Sequence, residues 1–179
     1  MPTQSWSRLK PQLQRLEKDE LVQLLRDLYA LNADNKVFLT TRFLAATPEE
    51  VAEPYRKIIR QVFNPGRSGF PSLEIGVARK ALNDFKKACA DPLAVIDFML
   101  YYVEQGVICT NTYGDIHASF YSSLLSVYRN ATELVAKTDD PDVIELFHPR
   151  FHDIIRDTGQ IGWGFHDGIL EVSAGILEA

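Results

Sequence analysis

A chain of 179 residues, 46% hydrophobic and 24% charged, has the composition of a folded globular protein and lies far from the disordered class. Its net charge of −5 hides an asymmetry: residues 1–90 carry 15 Lys/Arg against 10 Asp/Glu, while residues 91–179 carry 4 against 14. The longest apolar run, Phe98 to Val103, falls far short of the roughly 20 residues a membrane span needs, and the first six residues lack the layout of a secretory signal.

Cys89 and Cys109, with no CxxC spacing, point to a reducing cytoplasm rather than a disulfide scaffold. The expectation is a soluble cytoplasmic protein, residues 1–179 forming one helical domain with no membrane partner. From Ser7 to Asn32, Leu9, Leu13, Leu16, Leu21, Leu24, Leu25 and Leu28 recur at helical steps, with a joint near Glu17–Glu20. Asp34 is the expected cap of a helix holding Val37, Phe38, Leu39, Phe43 and Leu44. Thr47-Pro48-Glu49-Glu50 opens the next, with a stripe of Val51, Tyr55, Ile58, Ile59 and Val62.

Asn64–Pro71 reads as a loop, and a helix follows over about 72–90. Asp91-Pro92 starts a helix, about 92–105, that is apolar nearly all round and should end at Gly106. It predicts the centre of an all-α fold, either a multi-helix bundle or a short helical superhelix wrapped around it. Residues 107–115 read as a turn, with short strands at 107–110 the alternative. A long helix runs to about Thr138, and Asp139–Asp142 breaks it. Two shorter helices follow, split by Pro149, then a glycine-rich turn from Asp157 to Gly168 and a last helix through Leu177.

Four constellations could carry chemistry. Asp97 and Glu104, seven apart on the central helix with Tyr101 between, could act as acid and base; pairing with Arg79, Lys80, Lys86 or Lys87 of the preceding helix is the plainer reading. His148, His152 and His166 have ligand chemistry suited to a metal, but Pro149 interrupts the alignment, so no metal site is expected. Trp163-Gly164-Phe165-His166-Asp167 is either a tight helix corner capped by His166 or Asp167, or a close backbone approach beside a proton-transferring pair. Arg56, Lys57, Arg60, Arg67, Arg79 and Lys80 could meet phosphates, though no Walker or GxGxxG motif accompanies them.

Several blocks together carry a resemblance: Tyr55-Arg56-Lys57-Ile58-Ile59 with Phe63-Asn64-Pro65, Ala78 through Lys87, Met99 through Val107, Tyr113-Gly114-Asp115 with Phe120-Tyr121, and Ile161 through Asp167. In these the chain resembles a bacterial family of short proteins known only as a domain of unknown function. The resemblance implies a helical cytoplasmic protein and carries over no activity, cofactor or catalytic residue. The functional expectation is a non-enzymatic helical binding or scaffold protein with a protein partner. The alternatives are a nucleic-acid or phospholigand binder through the basic segment 55–90, and a metal-dependent or acid–base enzyme using Asp97, Glu104, Asp115, His166 and Asp167.

Overall fold

A computed structural model describes residues 5–44 and 47–177, all helix and connecting turns with no strand among them. The chain packs as two compact units, residues 1–45 and 46–179. The first holds α1 (Trp6–Leu13), α2 (Lys18–Leu31) and α3 (Ala33–Leu44), with α2 packed on α3. A capping box fixes the start of α2: the Glu17 carboxylate accepts from the backbone of Glu20, and Glu20 accepts from the Glu17 N–H at 2.8 Å. Asn32, rather than Asp34, caps α3, its Oδ1 accepting from the Asn35 N–H at 2.8 Å; Asp34 lies inside the first turn.

The second unit contains α4 (Pro48–Phe63), a single 3-10 turn at Gly66–Ser68, α5 (Ile75–Ala88), α6 (Pro92–Tyr113), α7 (Ala118–Thr138), α8 (Pro141–Thr158) and α9 (Phe165–Leu177). Both expected proline starts are capped, Thr47 Oγ1 accepting from the Glu50 N–H and Asp91 from Leu93, and the Asp139–Asp142 break is a third such start, Asp140 accepting from the Asp142 N–H. Around α6 pack α4, α5, α7 and α8, while α9 lies on α7 and α8. Ile96, Phe98, Met99, Leu100, Tyr102 and Val103 are buried at the centre. Aromatic rings lock the layers: Phe85 stacks on Phe98 at 4.1 Å, and Phe63 meets Tyr102 and Phe120 edge-on at 5.4 Å. By length and composition α6 is apolar enough to cross a membrane, but 56% of its apolar window is buried against its neighbours, as in a core helix.

Several boundaries differ from the sequence reading: α5 starts at Ile75 and not near residue 72, and α9 starts at Phe165, inside the expected glycine-rich turn. The central helix does not stop at Gly106; it continues through 107–110, where a turn or strands were expected, and ends at Gly114 with φ 92°. Gly106 is buried, and a Cβ built on it would overlap the Leu124 side chain, so this glycine lets α6 and α7 approach closely instead of capping a helix. Nor does Pro149 split α8, which runs unbroken from Pro141 to Thr158. An internal proline costs about 3 kcal/mol. Here Pro149 is exposed, and burial of Phe147, Phe151 and Ile154, each worth about 1.5–3 kcal/mol, outweighs that cost.

Candidate functional site

The half-buried carboxylates of α6 are held by arginines from two flanking helices. Arg150 of α8 donates from Nη1 to Asp97 Oδ1 at 2.6 Å and from Nε to Glu104 Oε1 at 2.7 Å, and reaches the Asp97 carbonyl at 3.2 Å. Arg56 of α4 takes the other Asp97 oxygen at 2.8 Å, and its guanidinium lies 5.2 Å from the Tyr101 ring centre. Arg60, one turn on, pairs with Glu53 and donates to Tyr101 Oη at 3.4 Å. Burial pushes the Tyr101 phenol above its ordinary pKa, against the pull of Arg60 and Arg56.

The carboxylates are thus paired, as the plainer sequence reading held, but with partners it did not name. Arg79, Lys80, Lys86 and Lys87 point elsewhere. Lys80 and Lys87 both bind Asp84, at 2.9 and 3.1 Å; burial raises that carboxyl's pKa, and the two lysines more than reverse it. Arg79 Nη1 lies 3.5 Å from the Ser123 carbonyl. The signal for Arg150 was present in the sequence: it is one of only four basic residues after residue 90, so an acid-rich half had few internal partners to choose from.

Arg150 bridges the middle of a crease between α6 and α8, which run parallel: Asp97 meets Arg150, and fourteen residues further along α6 Asn111 meets Asp157. On one side lies a cleft of about 290 Å³, lined by Leu93, Ala94 and Asp97 of α6, Leu146, Phe147 and Arg150 of α8, and Glu49, Ala52 and Arg56 of α4, with Asp91 and Phe85 at its edge. On the other lies one of about 230 Å³, lined by Glu104, Val107, Ile108 and Asn111 of α6 and Asp153, Ile154, Arg156 and Asp157 of α8. Positions 94, 97, 101, 104, 108 and 111 recur at three and four, as do 146, 150, 153 and 157, so both clefts open on one face of each helix. Six carboxylates and three guanidiniums line the two clefts together.

The remaining candidates stand apart from this site. His166 Nδ1 and Thr158 Oγ1 are 3.0 Å apart at the α8–α9 corner. That corner adjoins the end of the crease where Asn111 Nδ2 donates to the Asp157 carbonyl, roughly 20 Å along α6 from Asp97 at 1.5 Å per residue. Asp97 therefore does not converge with His166 and Asp167, while Glu104 lies about half as far from that corner along α6. Asp115 accepts from Tyr121 Oη at 3.2 Å, which in turn accepts from the Ile116 N–H. His148 and His152 face each other on α8 with ring centres 4.5 Å apart, but no group of three metal-ligating side chains occurs among the described residues.

The glycine-rich turn is a tight corner, but His166 and Asp167 lie inside the first turn of α9 and do not occupy its cap position, and of the two aromatics only Phe165 is buried. Trp163 and Gly164 adopt left-handed backbone, at φ 61° and 69°, and Trp163 is exposed; Gly168 lets α9 lie against Leu125 of α7. The corner is closed by backbone bonds from Phe165 N–H to the Gly162 carbonyl and from Gly168 N–H to the Gly164 carbonyl. Lys57 and Arg67 are exposed on the surface.

No curated protein and no solved structure matches the chain. One family model does, over residues 4–171, a span containing every sequence block that carried the resemblance. The chain therefore belongs to a family of unknown function, DUF6155.

Proposed function

We propose that this chain is a non-enzymatic helical binding or scaffold protein whose contact surface is the α6–α8 crease. The observation that carries the reading is the crease itself, two clefts in line with a fixed arginine–carboxylate lattice between them. Leu93, Ile108 and Leu146 along it are 37%, 47% and 59% exposed. Carboxylates outnumber guanidiniums two to one. An apolar strip with an acidic excess fits a short cationic segment with an apolar face, the apolar side chains entering beside Leu93 and Leu146 and the basic ones competing with the exposed Arg156 for Asp153 and Asp157, which it holds at 2.6 and 2.8 Å. Asp97 is engaged by arginines on both sides and Glu104 by Arg150, an arrangement that supports recognition over proton transfer.

The phospholigand alternative gains no such support, because Arg56, Arg60 and Lys80 are engaged by carboxylates of the same unit. The reading sets the protein in a reducing bacterial cytoplasm, consistent with two buried free thiols. Recovery of the protein in a periplasmic or membrane fraction would contradict that setting.

The test is a two-dimensional amide spectrum of the labelled protein, titrated with a Lys/Leu amphipathic helical peptide and with its Glu/Leu counterpart. The expected result is shifts confined to the neighbourhood of Ala94, Ile108, Leu146 and Asp153 with the cationic peptide alone. Shifts elsewhere, or none, would refute the crease as the contact surface. Turnover of any substrate class that Asp97→Asn abolishes would refute the non-enzymatic reading.

A further inference from the structure

The N-terminal unit carries an apolar surface of its own. Leu21, Leu24 and Leu28 form one stripe of α2, and the first two are half-buried. Val22, Leu25 and Tyr29 form a second stripe at steps of three and four, 56%, 46% and 44% exposed, with Lys36 of α3 lying 5.7 Å from the Tyr29 ring centre at one end of it. No residue of α2 is buried. A lone exposed leucine needs no explanation, but a continuous stripe at heptad spacing marks a surface awaiting a second helix.

The charges beside that stripe specify the helix. With Val22 and Tyr29 at heptad position a and Leu25 at d, the flanking e positions hold Asp19 and Arg26, and the g positions hold Leu21 and Leu28. Asp19 and Arg26 are both exposed, and neither has an ion-pair partner among the described residues. In an antiparallel pair, e faces e. Two copies of α2 related by a two-fold axis therefore set Asp19 of each against Arg26 of the other, making two ion pairs. A parallel pair would set both charges against leucines. The surface is also neutral: α2 and α3 hold four basic and four acidic residues, whereas residues 46–179 hold 12 basic against 19 acidic. Copies meeting through α2 avoid the repulsion that an approach through the acidic unit would bring.

We propose that the chain self-associates, with α2 of two copies pairing antiparallel through the Val22–Leu25–Tyr29 stripe and closing with reciprocal Asp19–Arg26 pairs. Sedimentation equilibrium on the full chain tests this. The wild type is expected at twice 20.3 kDa, and Leu25→Glu at the monomer mass with unchanged circular dichroism. Asp19→Arg alone and Arg26→Asp alone should each weaken association about tenfold, the scale for two ion pairs turned repulsive. The double variant D19R/R26D should return it to near the wild-type value. Because Asp19 and Arg26 are surface residues, the charge series decides the matter even if Leu25→Glu perturbs folding. A wild type that stays monomeric at every concentration would overturn the proposal. So would a dimer indifferent to Leu25→Glu, single variants that the double does not rescue, or a monomer that associates only with vesicles or with a different protein.

Discussion

Tyr128 is fully buried in α7, and its hydroxyl lies 2.6 Å from Ser173 Oγ of α9. Ser173 uses its own proton on the Ile169 carbonyl at 2.7 Å, so the phenol is the donor between them. Burial pushes this phenol up to about 12. The folded state thus holds the proton between pH 10 and 12, where the unfolded chain releases it, so stability is full below pH 10 and falls as pH rises through that window. The expected slope approaches one proton, about 1.4 kcal/mol per pH unit. In Tyr128→Phe the slope should shrink, at a cost of about 1 kcal/mol at neutral pH for the lost bond; urea melts from pH 7 to 11.5 measure both. Cys109, pushed up by burial to about 11, should behave as an inert core thiol. In a Cys89→Ser background, a disulfide reagent at pH 8 should label it only on unfolding. Fast labelling of the native protein would contradict its burial.

At the scale of elements, the interlocking of α6 with its neighbours is what holds the crease in shape. Gly106→Ala should destabilise, because overpacking against the buried Leu124 costs about 1–3 kcal/mol while helix propensity returns no more than about 1. Gly175→Ala, in α9 with open space around it, should stabilise by up to about 1 kcal/mol. Paired thermal melts of the two variants read the contrast directly. Arg150 is the tie between α8 and α6, so Arg150→Met should cost about 1–2 kcal/mol, and a double-mutant cycle with Glu104→Gln should give a coupling of about 1 kcal/mol that shrinks in high salt. Strict additivity would contradict the pairing. Helix starts were legible because Thr47, Asp91 and Asp140 are local signals beside prolines. The ends at Gly106 and Pro149 were misread because both depend on tertiary packing: a glycine used for close approach, and a proline tolerated where its helix buries two phenylalanines. Periodicity reports which face is apolar; it does not report which neighbour arrives there.

For the whole molecule, the acid–base asymmetry of the sequence resolves into specific ion pairs of the second unit. Part of the basic segment reaches the acidic half through Arg56 on Asp97, but the decisive guanidinium, Arg150, comes from the acidic half itself. That is why the sequence exposed Asp97, Tyr101 and Glu104 as a set but not their partner, 46 residues beyond Glu104 on a helix that Pro149 had seemed to divide. The same folding keeps His166 beside Thr158 at the end of the crease away from Asp97. What remains on one face is a continuous acidic crease with exposed apolar side chains, and its recognition role is the central claim. Isothermal titration of a Lys/Leu amphipathic peptide tests it, against the wild type, against a crease variant with Asp153→Lys, and against Glu133→Lys on α7 as a control of equal charge change. Salt-sensitive binding to the wild type and to Glu133→Lys is expected, weakened at least about tenfold in the crease variant. Equal affinity for all three proteins, or none for any, would contradict it.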